Sequence, residues 1–174
     1  MSVEYDIENL TFDFSITPKG KRGICKALSP KPNFPEIVKI MKERALVDRD
    51  HTLLQYKGLS DTEQGKLKDN GAYVPAYFKE GIRRNDYLVR RSAITLDLDE
   101  LTQEQFEWII SGRSEIWKWV FVCHSTRKHS RQFPRLRIVI PLKKAIPASL
   151  YEVVARYAAC CVLQTKEESL DACD

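Results

Sequence analysis

A mixed α+β fold is what this sequence predicts, on three observations. Apolar and polar residues alternate over 10–17 and again over 92–99, the period-two pattern of half-buried strands. Ser60-x-x-Glu63 and Thr102-x-x-Gln105 are capping boxes, each of which starts a helix. After residue 90 the strand-like and helix-like stretches interleave. At 174 residues the chain suits one well-filled core, so a single domain over 1–174 is expected, with an N-terminal α/β layer over 1–90 and a second layer over 91–174.

The elements follow in order. Leu10, Phe12, Phe14 and Ile16 alternate with Thr11, Asp13, Ser15 and Thr17 in a strand that Pro18-Lys19-Gly20 turns. Pro30, Pro32 and Pro35 punctuate a loop. Pro35 suits the first turn of a helix running to about Leu46, with Ile37, Ile40, Met41 and Ala45 inward. The helix begun at Ser60 closes at Asn70-Gly71. Residues 92–99 form a strand whose Ile94, Leu96 and Leu98 take one face and Thr95, Asp97 and Asp99 the other. In the helix after Thr102, Leu101 and Phe106 have the spacing of a hydrophobic staple, and Gly112 stands at a C-terminal cap. Residues 118–124 read as a nearly continuous buried strand. Residues 136–142 read as another, with Arg135 and Arg137 opposite Leu136 and Ile138. Pro147 opens a helix in which Leu150, Val153, Val154, Tyr157, Ala158 and Cys161 make an apolar stripe, and a last strand is placed around Leu170. The order βαββαβ over 91–174 is ferredoxin-like or RRM-like. In that pattern the first and third strands are neighbours, and Asp97, Asp99, Arg135, Arg137 and a residue near Asp171 converge on one face.

Asp97 and Asp99 carry the sharpest chemical signal. Two carboxylates side by side on one strand face repel unless a proton is shared or a divalent cation lies between them. The alternative is a strand that enters solvent and ends in acids before a helix. Net charge is only +4, from 28 basic and 24 acidic residues, but its distribution is uneven. Residues 113–144 hold nine Lys or Arg against one acid, Glu115, a local excess of eight that suits an anionic partner. The five cysteines lack metal-type spacing and read as reduced thiols. With acids at the start, no apolar leader and no run long enough for a membrane span, a cytoplasmic chain without a membrane partner is expected.

Asp97-Leu98-Asp99, then His124-Ser125-Thr126-Arg127-Lys128-His129, then Pro134-Arg135-Leu136-Arg137-Ile138-Val139-Ile140-Pro141, then Leu170-Asp171, resemble the archaeo-eukaryotic primase superfamily. More narrowly, they resemble the primase-polymerase domains at the front of primase-helicase proteins of phages, plasmids and other mobile elements. The glycine- and arginine-bearing run from Gly71 to Ser92 agrees with the flank of the phage branch, and the likeness covers roughly residues 60–174.

The resemblance implies a nucleotidyltransferase that makes or extends primers on a single-stranded DNA template from nucleoside triphosphates, working with a C-terminal or separate helicase. It implies Asp97, Asp99 and Asp171 as ligands of Mg²⁺ or Mn²⁺. It makes His129 the contact to the triphosphate, with Lys128, Arg135, Arg137, Ser125 and Thr126 as neighbouring phosphate contacts. Arg83, Arg84, Arg91, Arg127 and Arg131 would track nucleic acid. Where the family's second motif has a small residue two before its His, this chain has Arg127. The chain ends three residues after Asp171, short of the family's usual closing strand, and so reads as an N-terminal fragment.

Two rivals are weighed. An RRM-like RNA-binding module would present stacking aromatics on its central strands, where this chain has Arg135 and Arg137. A rolling-circle endonuclease would need two His separated by one apolar residue on a strand and a helical Tyr nucleophile. Here His124 and His129 are five apart, and of Tyr151 and Tyr157 the latter is read as part of the buried stripe.

Overall fold

Eleven residues of β5 (Leu88–Leu98) and twelve of β7 (Leu136–Pro147) are the longest strands in the molecule, and the elements around them are short. The computed structural model describes residues 7–21, 23–43, 50–69 and 71–164. In chain order these hold β1 (Ser15–Thr17), β2 (Lys26–Ala27), α1 (Phe34–Glu43), α2 (Leu53–Gly58), α3 (Asp61–Lys68), β3 (Ala72–Val74) and β4 (Ala76–Phe78). Then come β5, α4 (Gln103–Ile110), β6 (Val122–Ser125), β7 and α5 (Ala148–Leu163). The fold is mixed α+β with antiparallel sheets. One sheet runs β2-β1-β3 and the other β4-β5-β7-β6, so β5 and β7 are neighbours as the sequence order requires. The strand expected near Leu170 lies outside the described residues, and the strand paired with Leu88 to Arg91 of β5 is β4.

The described residues form two compact units. The first takes those within 1–50, 59–93 and 142–148; the second takes 51–58, 94–141 and 149–164.

In the first unit β1 pairs with β2 on one side and β3 on the other, which alters the expected alternation. Regular strand is confined to Ser15–Thr17, and Asp13, Ser15 and Thr17 are buried along with Phe12 and Phe14. Each buried polar group needs a partner. Ser15 donates from Oγ to the Ala76 carbonyl at 2.7 Å, and the Asp13 carbonyl accepts from Ser92 Oγ at 2.5 Å. The Asp13 carboxylate takes Arg90 through Nε at 2.6 Å and Nη2 at 3.1 Å, and Lys31 at 2.9 Å. Cys25, Val74, Ala76 and Phe78 form an apolar cluster completed by Leu88. α1 begins at a capping box between Asn33 and Glu36, with Pro35 in its first turn and Ile37 and Met41 buried. Its expected end near Leu46, and Ala45, lie outside the described residues. The Ser60–Glu63 box of α3 is present, and Gly71 has the positive φ, 75°, of a closing glycine.

In the second unit α4 has the Thr102–Gln105 capping box, and Gly112 follows its end at φ 83°. Two expectations are corrected here. The strand placed at 118–124 starts only at Val122. Residues Glu115–Lys118 make a 3₁₀ turn, because Ser114 caps it by accepting from the Ile116 amide at 3.4 Å while donating to the Val162 carbonyl at 2.8 Å. β6 is an edge strand and only half-buried. The stripe on α5 holds only in part. Its N-terminal members Leu150 and Val153, and Tyr157, are exposed, whereas Val154 and Cys161 are half-buried and Ala158 is buried as expected, with Ala159 and Val162 buried beside it. Ile94, Leu96 and Leu98 of β5, with Leu136, Ile138 and Ile140 of β7, are buried as alternation requires.

Candidate functional site

The second unit contains most of the expected site. On β5, Thr95 is half-buried and Asp97 exposed, and Asp99, just past the strand end, is exposed as well, on the face opposite Ile94, Leu96 and Leu98. Facing them are Arg137 of β7 and Arg135 just before that strand. Arg137 grips Asp97 with both ends of its fork, Nε on Oδ1 and Nη2 on Oδ2, the second at 3.0 Å. Arg135 Nη1 lies 3.3 Å from Asp99 Oδ1. The pairs run in opposite order along the two strands, as antiparallel neighbours must. So the like-charge repulsion inferred from sequence is relieved here by two guanidinium groups. The Asp97 and Asp99 side chains remain 43% and 55% exposed, which leaves both within reach of a ligand.

The β6–β7 connection presents His129. Its amide donates to the Thr126 carbonyl at 3.0 Å, and its Nδ1 accepts from the Arg135 amide at 3.0 Å. With Nδ1 occupied as an acceptor, the ring proton sits on Nε2, the donor left for a ligand. Phe106 of α4 holds the ring from the side, centroids 5.5 Å apart. Arg135 thus joins the acid pair to the histidine, its side chain on Asp99 and its backbone on His129.

The remaining predicted residues divide. Ser125 ends β6 and is exposed, Thr126 and Lys128 are half-buried beside His129, and Arg131 is exposed at the loop tip. Arg127 faces another way. Its guanidinium lies 4.2 Å over the fully buried Tyr56 ring of α2 and donates to the His51 carbonyl at 3.1 Å, so it ties the loop to α2. Arg83, Arg84 and Arg91 belong to the first unit, the first two exposed. Asp171 lies outside the described residues. Among the described residues no group of three or more His, Cys, Asp or Glu is placed to hold a metal ion.

His124 stands directly across from Arg137 in the β6–β7 register and shares its face. α2 was missed, although Thr52-x-x-Gln55 is a capping box in which each residue bonds the other's amide.

The rivals meet specific observations. Tyr157 is 66% exposed, which overturns its assignment to a buried stripe, whereas the Tyr151 hydroxyl is engaged with the Thr95 backbone at 3.1 and 3.3 Å. β5 and β7 carry no aromatic residue for base stacking.

No helix among the described residues is long and apolar enough to cross a membrane. Among the described residues Cys25, Cys123, Cys160 and Cys161 form no disulfide. No curated protein matches the chain, and no solved structure does. The model of the VapE N-terminal domain family matches residues 31–165, a span that includes β5, the β6–β7 connection and β7. The chain therefore belongs to the VapE N-terminal domain family, which is found in phage and plasmid replication proteins.

Proposed function

We propose that this domain is a metal-dependent nucleotidyltransferase that makes or extends primers on a single-stranded DNA template during replication of a phage or plasmid. In this reading it has an RRM-like core of the archaeo-eukaryotic primase type and works beside a helicase. The observation that carries it is the facing of Asp97 and Asp99 by Arg137 and Arg135, with His129 held by the Arg135 amide.

The donor set fits Mg²⁺ or Mn²⁺. Such ions take one or two carboxylates and fill the rest of their shell with water and substrate phosphate, and they need no thiolate or all-protein cage. Thr95 Oγ1, two residues before Asp97 on the same face, is buried without a hydrogen-bond partner and adds an oxygen there. Asp97 and Asp99 would hold the ions, with Asp171 as the third acid. When bound, divalent ions stabilise the attacking and leaving oxygens of an in-line displacement at the α-phosphate. The chain's own groups do the rest. Arg135, Arg137 and Lys128 offset a triphosphate of about four negative charges, and guanidinium forks bind phosphate oxygens in pairs. His129 Nε2 donates a further hydrogen bond. Ser125 and Thr126 line the same loop, and Arg83, Arg84, Arg91 and Arg131 are assigned to the nucleic-acid backbone.

The test is primer synthesis and extension on single-stranded DNA with Mg²⁺ and with Mn²⁺. Asp97→Ala with Asp99→Ala should abolish incorporation while circular dichroism stays unchanged. Metal-dependent incorporation by the double variant removes the proposal.

A further inference from the structure

Each acid of the site is already paired with the arginine that a triphosphate would need. From this we infer that the Asp97–Arg137 and Asp99–Arg135 pairs couple cation binding to triphosphate binding, so that each ligand releases the groups that take the other. The inference rests on the nucleotidyltransferase reading and says how that site is regulated.

A cation arriving alone at Asp97 must displace a two-pronged guanidinium grip. Arg137, displaced from Asp97, then stays on a face that already carries Arg135, without the carboxylate charge that offset it. A triphosphate arriving alone meets the mirror problem. Its oxygens must take the guanidinium groups from the carboxylates, which leaves Asp97 and Asp99 unpaired and close to each other and to the phosphates. Arriving together, the cation neutralises the acids while the phosphates neutralise the arginines, and no charge is left without a partner. Coupling of this kind is reciprocal, because each ligand raises the other's affinity by the same factor. Arg135 extends the effect to His129, whose Nδ1 is fixed by the Arg135 amide. Any shift of Arg135 as its side chain leaves Asp99 also moves the donor aimed at the phosphates.

The pairs are partly exposed, so each is individually weak, yet two on one face, one of them bidentate, form a small network. A coupling of roughly five- to thirtyfold is expected, within the usual range for linked sites.

The decisive measurement is binding of a fluorescent nucleoside triphosphate by anisotropy in EDTA, where no cation helps. Asp97→Asn with Asp99→Asn removes the carboxylate charges that compete for both arginines and should tighten metal-free binding by about fivefold or more. Glu100→Gln removes an adjacent exposed acid that is in neither pair, and should change it less than about twofold. A second arm, Mn²⁺ binding followed by electron paramagnetic resonance without nucleotide, uses Arg137→Lys. Lysine keeps the charge but loses the fork, so Mn²⁺ should bind more tightly. If the double variant gains no more than Glu100→Gln, or if Arg137→Lys leaves Mn²⁺ affinity unchanged, the coupling is refuted. In that case triphosphate binding by the unaltered protein with Mn²⁺ keeps the nucleotidyltransferase reading standing. Failure of the unaltered protein to bind either ligand overturns both.

Discussion

Asp13→Asn probes the most demanding electrostatic contact in the first unit. The Asp13 side chain is 7% exposed and accepts three charge-assisted hydrogen bonds, two from Arg90 and one from Lys31. Bonds to charged groups are worth about 1.5–3 kcal/mol each when buried. Arg90 and Lys31 are 38% and 49% exposed, so solvent screening removes half or more of that. Asparagine keeps one acceptor but no charge. We therefore expect a loss of about 2–3 kcal/mol at pH 7, or about 4–10 °C in melting temperature for a chain of this size.

The pH dependence supplies a second check. Burial pushes the Asp13 carboxyl up, but the hydrogen bonds from Arg90 and then Lys31 outweigh it and hold the group below its ordinary value. A carboxyl depressed on folding stabilises above its unfolded pKa of about 3.9, and that stability is lost as pH falls through the folded value. The deficit of Asp13→Asn should therefore be full at pH 7 and shrink towards pH 3, read by urea denaturation at each pH. A deficit below about 0.5 kcal/mol at pH 7, or one unchanged by pH, would refute the reasoning.

Two further outcomes are expected. Gly81 has φ 68°, and a Cβ there would lie 2.8 Å from the Cys25 carbonyl oxygen, so Gly81→Ala should cost roughly 1–3 kcal/mol; an unchanged melting curve contradicts it. Burial pushes the Cys123 thiol up to about 11, so its alkylation at pH 8 should be roughly a hundredfold slower than that of a free cysteine, as peptide mass spectrometry can follow.

Much of the fold was legible because its signals are local. A capping box closes within four residues, so the starts of α3 and α4 could be read directly, and the same rule was available for α2. The face carrying Asp97 and Asp99 followed from strand alternation alone. Where burial depends on distant chain, local pattern misled. Asp13 goes inside because Arg90, seventy-seven residues away, meets it. Part of the stripe on α5 was misassigned because hydrophobic spacing names an apolar face without saying which half of the helix packs.

The sequence by itself determined the βαββα order from β5 to α5, the shared face of Asp97 and Asp99, and the opposing Arg135 and Arg137, since each depends only on residue period and chain order. Tertiary structure alone decided what those acids touch. It paired each with an arginine, turned Arg127 onto Tyr56 and set the His129 tautomer through the Arg135 amide. These are contacts between residues six to seventy-one positions apart, made by the register of neighbouring strands and the path of one loop, and no local pattern encodes them.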